Sequence, residues 1–257
     1  MRSSSPGATR HSRLGSSVAA LLSVEEITLR FGGIVALDGV SFEVEAGHIA
    51  GLIGPNGAGK TTAFNVITRL YAPDQGRLEF DGRSLLETPA HRIAEHGIAR
   101  TFQNVNLFTS MSVLENVLVG GHRLGRGTGE KEARAMLEYV GLGVRAGDLA
   151  ASLPYGLQKR VEIARALAAK PRLLLLDEPA GGLNHEGVEE LGDFILRLRD
   201  DHELTVLLVE HHMGLVMRIS DHVNVLGSGR KIAGGTPADV RANPDVIEAY
   251  LGSEAGP

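Results

Sequence analysis

The chain has 257 residues, of which 33 are glycine, 10 are proline and none is cysteine, and its formal net charge is −5. Hydrophobic residues make up 43% and charged residues 22%, which is ordinary for globular proteins and argues against a disordered, collagen-like or coiled-coil chain. This length is typical of one large domain or two small ones. The lack of cysteine excludes disulfides and thiolate metal sites, and the negative charge argues against a nucleic-acid partner.

Residues 1–21 are rich in Ser, Arg and small residues, and we expect a disordered tail there, followed by one domain over residues 22–257. A secretory signal is the alternative, because arginines precede the apolar residues 18–22. That apolar run is short, and Glu25 and Glu26 follow it, which favours the tail. No stretch approaches the roughly 18 uninterrupted apolar residues of a membrane-spanning helix. A membrane role would therefore need a partner.

Apolar periodicity predicts an antiparallel β layer at the start of the chain. Residues 22–31 and 34–44 alternate in the manner of strands around a Gly-Gly turn. A short apolar strand over residues 48–53 then leads through a glycine-rich stretch into a helix over residues 61–70. The local order is therefore strand, glycine-rich loop, helix.

The rest of the chain predicts an α/β core interrupted by a mainly helical segment. Residues 88–169 have the pattern of helices, and we expect a helical subdomain at about residues 103–166. Three apolar runs without alternation suit strands that are buried on both faces of a parallel sheet; they are residues 172–176, 204–209 and 222–226. A helix over residues 188–199 lies between the first two of them, so the fold class is α/β.

The glycine-rich stretch fits the phosphate-loop pattern GxxxxGK[ST]. In such a loop, backbone N–H groups surround phosphate oxygens and the helix N-terminus adds partial positive charge. We expect Lys60 to reach the β and γ phosphates and the Thr61 hydroxyl to bind Mg²⁺. The alternative, a glycine-rich turn without function, is disfavoured by the strand before it and the helix after it. The candidate nucleotide-binding residues here are Gly54, Pro55, Asn56, Gly57, Ala58, Gly59, Lys60, Thr61 and Thr62.

A second motif is the leucine run that ends in Asp177, Glu178 and Pro179. A buried strand brings both carboxylates to its carboxyl end, where open α/β sheets bind ligands. We expect Asp177 to hold Mg²⁺, directly or through water, and Glu178 to deprotonate the attacking water. The alternative is a solvated turn after a strand. Together the two motifs indicate an NTPase with a phosphate loop, and they leave kinases, GTPases and motor ATPases open.

The sequence LPYGLQKR over residues 153–160, followed by VEIARALAAKP, resembles the signature of ATP-binding-cassette (ABC) ATPases. The resemblance implies an ABC nucleotide-binding domain, with a RecA-like core, an antiparallel β subdomain and a helical subdomain. It also implies that Tyr155 and Gly156 face the γ-phosphate of ATP bound to a second subunit, at a helix N-terminus. Core packing would explain the apolar face of that helix equally well. Pro154 stands where the signature usually has Ser.

Other motifs of that family follow in its order. By resemblance, Gln103 senses Mg²⁺ and the γ-phosphate and contacts a membrane partner, so it counts as both a catalytic and a metal-site residue. His211 corresponds to the switch histidine that contacts the γ-phosphate, and Phe31 to the aromatic residue that stacks on adenine. Each has an alternative: Phe31 as a core residue, and His211 with His212 as a metal site. The metal site is disfavoured because neighbours in an extended segment point to opposite sides.

The loop over residues 181–184 matches the segment that crosses the dimer interface in this family, and Asn184 replaces its usual Asp. Five further features resemble one branch, the LivG-like ATPase subunits of branched-chain amino acid importers. They are residues 31–38, residues 97–103, the Tyr155-Gly156 and Glu210-His211 pairs, and residues 243–252. The resemblance implies an ATPase that uses ATP and Mg²⁺ and lies in the cytoplasm, peripheral on the inner face of the cell membrane.

The same resemblance implies several partners. They are integral membrane permease subunits, a second ABC ATPase subunit that is either the same chain or LivF-like, and indirectly a periplasmic or lipid-anchored solute-binding protein. The alternatives are the ATPase of a urea or amide importer, that of a solute or lipid exporter, and a soluble ABC ATPase without a transport role.

Overall fold

The computed structural model describes residues 20–254. The expected tail over residues 1–21 lies outside this part, except for its last two residues, which belong to the first strand. In chain order the strands are β1 (Ala20–Phe31), β2 (Ile34–Glu45), β3 (Ile49–Ile53), β4 (Gln75–Phe80), β5 (Arg83–Ser84), β6 (Ile98–Arg100), β7 (Leu173–Asp177), β8 (Thr205–Val209), β9 (His222–Gly227) and β10 (Arg230–Gly235). The helices are α1 (Lys60–Ile67), α2 (Val113–Gly121), α3 (Arg126–Tyr139), α4 (Tyr155–Leu167), α5 (His185–His202), α6 (Met213–Ile219), α7 (Pro237–Ala242) and α8 (Pro244–Glu254).

The antiparallel layer is a four-stranded sheet in the order β2-β1-β4-β5. Its first two strands confirm the alternation in the sequence, because inward residues such as Leu22, Ile27 and Val40 are buried. The sequence did not predict β4, whose buried side chains are Leu78 and Phe80. Six residues with a glycine and a charged pair give little β signal. The tertiary pairing with β1 forms this strand.

The core sheet has the order β10-β9-β3-β8-β7-β6, in which all neighbours are parallel except β9 and β10. Every residue of β3, β7 and β8 is buried, as their apolar runs predicted. One expectation needs correction, because β6 lies within the segment that was expected to be mainly helical. Residues 90–96, just before it, form a 3-10 helix and not an α-helix. The loop between these elements turns at Gly97, whose φ is 86°.

Helices α2, α3 and α4 form a lobe beside the core sheet, with buried side chains such as Val117, Leu137 and Val161 between them. The boundaries of the helical subdomain at residues 103–166 remain a prediction. Tyr139, at the end of α3, fastens the lobe to α5: its hydroxyl donates to Asp201 Oδ2 at 2.6 Å. Its ring meets the His202 ring edge-on, with centroids 4.8 Å apart.

Backbone hydrogen bonds at Gly229, in the turn between β9 and β10, connect the core sheet to the antiparallel sheet. The Gly229 N–H donates to Ala58 O at 3.1 Å, and the Gly229 carbonyl accepts from the Asp38 N–H at 2.8 Å. A Cβ at Gly229 would lie 2.9 Å from Ala36 O, and its φ is +78°. Only glycine therefore lets this turn pack between the β2 strand and the loop before α1.

Candidate functional site

The phosphate loop spans residues 54–59, between the buried strand β3 and the first residue of α1. Gly54, Gly57 and Gly59 have φ values of 150°, 79° and 101°, where residues with a Cβ are disfavoured. A Cβ on Gly54 would also lie 2.2 Å from Leu226 O. The backbone conformation therefore favours glycine at all three positions, and at Gly54 the close approach of β9 requires it as well.

Lys60 lies across this loop with its ammonium group among loop carbonyls. Nζ donates to Gly54 O at 2.7 Å and to Pro55 O at 3.0 Å. Burial lowers the pKa of Lys60, and the nearby carboxylates of Glu178 and Asp177 partly oppose this. The ammonium group that is predicted to bind phosphates therefore lies against the first two residues of the loop.

Asp177 ends β7 and is 2% exposed. Arg100 Nη2 donates to Asp177 Oδ2 at 2.8 Å. Within residues 20–254, the buried Oδ1 of Asp177 finds no hydrogen-bond partner. Burial raises the pKa of Asp177, and the hydrogen bond and charge of Arg100 work against that rise. One carboxylate oxygen is therefore paired, while the other remains able to bind a cation.

The structure brings the three predicted catalytic residues together around Glu178. Gln103 Nε2 donates to Glu178 Oε2 at 2.8 Å, and His211 Nδ1 lies 3.7 Å from the same oxygen. Glu178 is the residue after β7 and has a φ of 46°, which is rare for a residue with a Cβ. A carboxylate, an amide and an imidazole thus converge at the carboxyl ends of β7 and β8.

Two charged residues near Glu178 had no role in the sequence analysis. Glu210 is fully buried and accepts from the backbone N–H groups of Ala180, His211 and His212 at 2.7, 3.0 and 3.2 Å. Lys159, 8% exposed, donates from Nζ to Glu178 O at 3.2 Å and to Pro179 O at 2.9 Å. The sequence did contain a signal for Glu210, because this glutamate directly follows an apolar strand. A carboxylate that is buried there needs hydrogen-bond donors, so its position indicates a structural role.

The candidate signature residues lie at the start of α4. Pro154 is its N-cap residue, one position before the first helical residue, Tyr155. Tyr155 is 44% exposed, and a Cβ on Gly156 would meet no atom within 4 Å. A Cβ on Gly182 would lie 3.2 Å from the Tyr155 ring. This helix N-terminus is therefore open and lies beside the loop over residues 181–184.

Phe31 is 45% exposed at the end of β1, so the core-residue alternative is wrong. Its ring meets Tyr71 edge-on, with centroids 5.1 Å apart, and the sequence analysis had not singled out Tyr71. Asn184 caps α5, since its Oδ1 accepts from the Gly187 N–H at 2.9 Å. Among the residues that the structure describes, no three His, Cys, Asp or Glu side chains form a metal-binding group, so nothing supports the metal site with His211 and His212.

Residues 37–181 match the family model described as ABC transporter. The chain belongs to the ATP-binding proteins of the ABC transporter family. The ABC ATPase is therefore an enzyme that hydrolyses ATP, and the predicted membership of this family is confirmed. Its residues 230–256 match a second model, described as branched-chain amino acid ATP-binding cassette transporter.

The ABC ATPase is similar along nearly its full length to curated relatives of one kind. It is 46% identical over 90% of its chain to BraF of Pseudomonas aeruginosa, of which the match covers 98%. It is 44% identical over 90% of its chain to LivG of Escherichia coli K12, again with 98% of the relative covered. Both are named high-affinity branched-chain amino acid transport ATP-binding proteins, which confirms the LivG-like resemblance.

Solved structures confirm the predicted fold of the ABC ATPase. The ADP conformation of an ATP-binding cassette from an ABC transporter superposes with a TM-score of 0.84 at 32% identity, covering 91% of this chain and 99% of that one. A nucleotide-free cassette gives a TM-score of 0.83 at 32% identity, covering 90% and 99%. Among residues 20–254 of the ABC ATPase, no helix combines the length and apolar character needed to cross a bilayer.

Proposed function

We propose that this chain is the ATP-hydrolysing subunit of an importer of branched-chain amino acids. The observation that carries the proposal is its 44–46% identity, over 90% of the chain, to ATP-binding proteins named for branched-chain amino acid transport. The family-model match at residues 230–256, outside the shared cassette motifs, points to the same branch. The alternative solutes, urea and amides, have no such observation in their favour.

ATP would lie with its phosphates over residues 54–62 and its adenine on the exposed Phe31 ring. The loop N–H groups and Lys60 complement the phosphate charge. The Oδ1 of Asp177, which has no hydrogen-bond partner within the described part of the chain, and the hydroxyl of Thr61 are hard oxygen ligands of the kind that Mg²⁺ takes, and Gln103 would add an amide oxygen. When bound, Mg²⁺ neutralises charge that develops on the phosphates.

Hydrolysis proceeds with Glu178 as the general base. The carboxylate accepts a proton from water, the water oxygen bonds to the γ-phosphorus, and the bond to the β–γ bridging oxygen breaks to release ADP and phosphate. Gln103 orients the carboxylate through its 2.8 Å hydrogen bond. His211, close to the same oxygen, contacts the γ-phosphate. Lys60 exchanges its loop carbonyls for phosphate oxygens when ATP enters.

The open N-terminus of α4 supports a dimer in which Tyr155 and Gly156 face ATP on a second subunit. The first N–H groups of a helix lack intrahelical partners and attract anions. ATP then binds the closed dimer better than the open one, and loss of the γ-phosphate reverses the preference. The second subunit is either another copy of this chain or a LivF-like protein.

Transport needs partners in the membrane. ATPase subunits of ABC importers act with membrane permeases, and we propose that the permease contacts this chain near Gln103, where Phe102 and Phe108 are 38% and 47% exposed. The chain would then lie in the cytoplasm, bound peripherally to the inner membrane face. A solute-binding protein outside the membrane would supply the amino acid.

Substitution of Glu178 by Gln tests the catalytic assignment. We expect turnover to be lost while ATP still binds and traps a stable dimer, because the amide cannot accept the proton. Glu87→Gln, at an exposed position, is the matched control and should hydrolyse ATP normally. Wild-type turnover in Glu178→Gln would remove Glu178 from its role as base.

Uptake of solute tests the transport assignment. Permeases recovered with the chain from its native membranes, reconstituted with it in liposomes, should import radiolabelled leucine when ATP and the binding protein are supplied. Import of urea without leucine, export in place of import, or recovery without any permease would contradict the proposal.

A further inference from the structure

The main chain at Glu178 is held in an unfavourable conformation. Its φ of 46° lies in the left-handed region, which a residue with a Cβ occupies only when its surroundings impose it. Glu178 immediately follows the extended strand β7. The turn of its backbone therefore sets the direction in which its side chain leaves the end of the strand. Whatever holds the turn therefore also aims the carboxylate.

Three groups hold the backbone around Glu178. Its N–H donates to Val209 O at 2.8 Å, and its carbonyl accepts from the Gly181 N–H at 3.1 Å. The third group is a side chain: Lys159 Nζ donates to the carbonyls of Glu178 and Pro179, at 3.2 and 2.9 Å. The ammonium thus holds two consecutive backbone carbonyls, those of Glu178 and Pro179.

Lys159 is not an ordinary surface lysine. It is 8% exposed, and the ring centroid of Tyr155 lies 5.3 Å from Nζ. Burial lowers its pKa, while Glu210, Glu162 and Glu178 favour its charged form. Lysine is almost never fully buried without such partners, so the position is specialised for a cation.

We propose that Lys159 is a positioning residue that holds the turn at Glu178 and so aims the carboxylate at the γ-phosphate. The inference rests on the proposed function, in which Glu178 is the general base. Lys159 also lies one helical turn after Tyr155 on α4, and that end of α4 faces the ATP of the partner subunit. The ammonium therefore connects the helix end that contacts one ATP to the base that acts on the other.

The experiment compares Lys159→Met and Lys159→Arg in the full-length chain, with Lys131→Met, at an exposed lysine of the same lobe, as control. Without the ammonium, Glu178 is misaligned, and we expect kcat to fall about 100-fold. The KM for ATP and the affinity for a fluorescent ATP analogue should change by less than about threefold, because the phosphate loop is untouched. Arginine can donate to both carbonyls, so Lys159→Arg should recover at least about tenfold of the lost kcat.

Several results would overturn the inference. Unchanged kcat in Lys159→Met, an equal loss of nucleotide affinity, or no recovery in Lys159→Arg would each show that Lys159 does not act by aiming Glu178. If Lys159→Met does not fold, as judged by its thermal melt, Lys159→Gln takes its place, since its amide N–H groups can still donate but carry no charge, and this variant should show a partial loss of kcat. Glu178→Gln, measured in parallel, separates the two claims: wild-type turnover there refutes the base itself, whatever Lys159 does.

Discussion

Arg100 and Asp177 form a buried ion pair, in which Nη2 and Oδ2 are 2.8 Å apart and the side chains are 7% and 2% exposed. The other terminal nitrogen of Arg100 donates to Asn65 Oδ1 at 2.7 Å, and that residue belongs to α1. One guanidinium thus links the strand before Gln103, the helix of the phosphate loop and the strand that carries the candidate metal ligand.

Replacing Arg100 by Met should lower the free energy of unfolding by about 3–5 kcal/mol, because it leaves a buried carboxylate without its counter-ion. Urea denaturation without nucleotide measures this. The control is Arg77→Met, which removes a pair with Glu25 at 2.9 Å whose arginine is 74% exposed; we expect a change of at most about 1 kcal/mol. Similar values for the two variants would show that burial of the Arg100 pair is not what stabilises it.

Pro154→Ser restores the hydroxyl that the family signature usually carries. We expect ATP turnover to stay nearly constant, because the Tyr155 and Gly156 N–H groups at the open start of α4 supply the donors. A hydrogen bond to a charged group contributes about 1.5–3 kcal/mol, so a site that lacked this donor would gain more than about tenfold. A steady-state ATPase assay that finds such a gain would show that the native site is compromised.

We expect the attachment of the helical lobe to α5 to depend on pH through the Tyr139 hydroxyl. Burial and the bond to Asp201 raise the pKa of Tyr139 to about 12. Because this folded-state pKa lies above the unfolded value of about 10, the contribution to stability is complete below pH 10 and is lost as pH rises toward 12.

Tyr139→Phe keeps the ring packing and removes the hydroxyl. We expect it to lower the free energy of unfolding at neutral pH by about 0.5–1.5 kcal/mol. It should also remove the part of the stability decline between about pH 10 and 12 that the ionisation of Tyr139 causes. Denaturation curves across that range check both effects, and an unchanged alkaline slope would contradict the assignment of that ionisation to Tyr139.

The phosphate loop and the Asp177-Glu178 pair follow from motif spacing, whereas Gln103 and His211 were singled out only by the resemblance to the family. The structure places all of them at or near the carboxyl ends of core strands, and their roles remain predictions. Arg100, Lys159 and Glu210 gained no role from the sequence, although all three occur in segments that it singled out. The roles of these three charged residues depend on the groups that contact them in the folded chain. Most of those groups are distant in sequence, so the sequence alone does not show them.

The strands also divide into those that the sequence predicted and those that it did not. Strands β3, β7 and β8 are buried on both faces, so their apolar runs were sufficient to predict them. Strands β5 and β6 have only two and three residues, too few to show a period, and β10 has no buried residue. These strands form because a neighbouring strand offers its backbone groups.

The hydrogen bonds at Gly229 have a consequence for how the contact between the two sheets tolerates substitution. The bonds to Ala58 and Asp38 join backbone atoms, so exchanging either of those side chains removes neither bond. A side chain at Gly229 itself would press against Ala36 O, which a Cβ would approach to 2.9 Å. A substitution there would therefore push β2 away from the phosphate loop and disturb the nucleotide site from a distance.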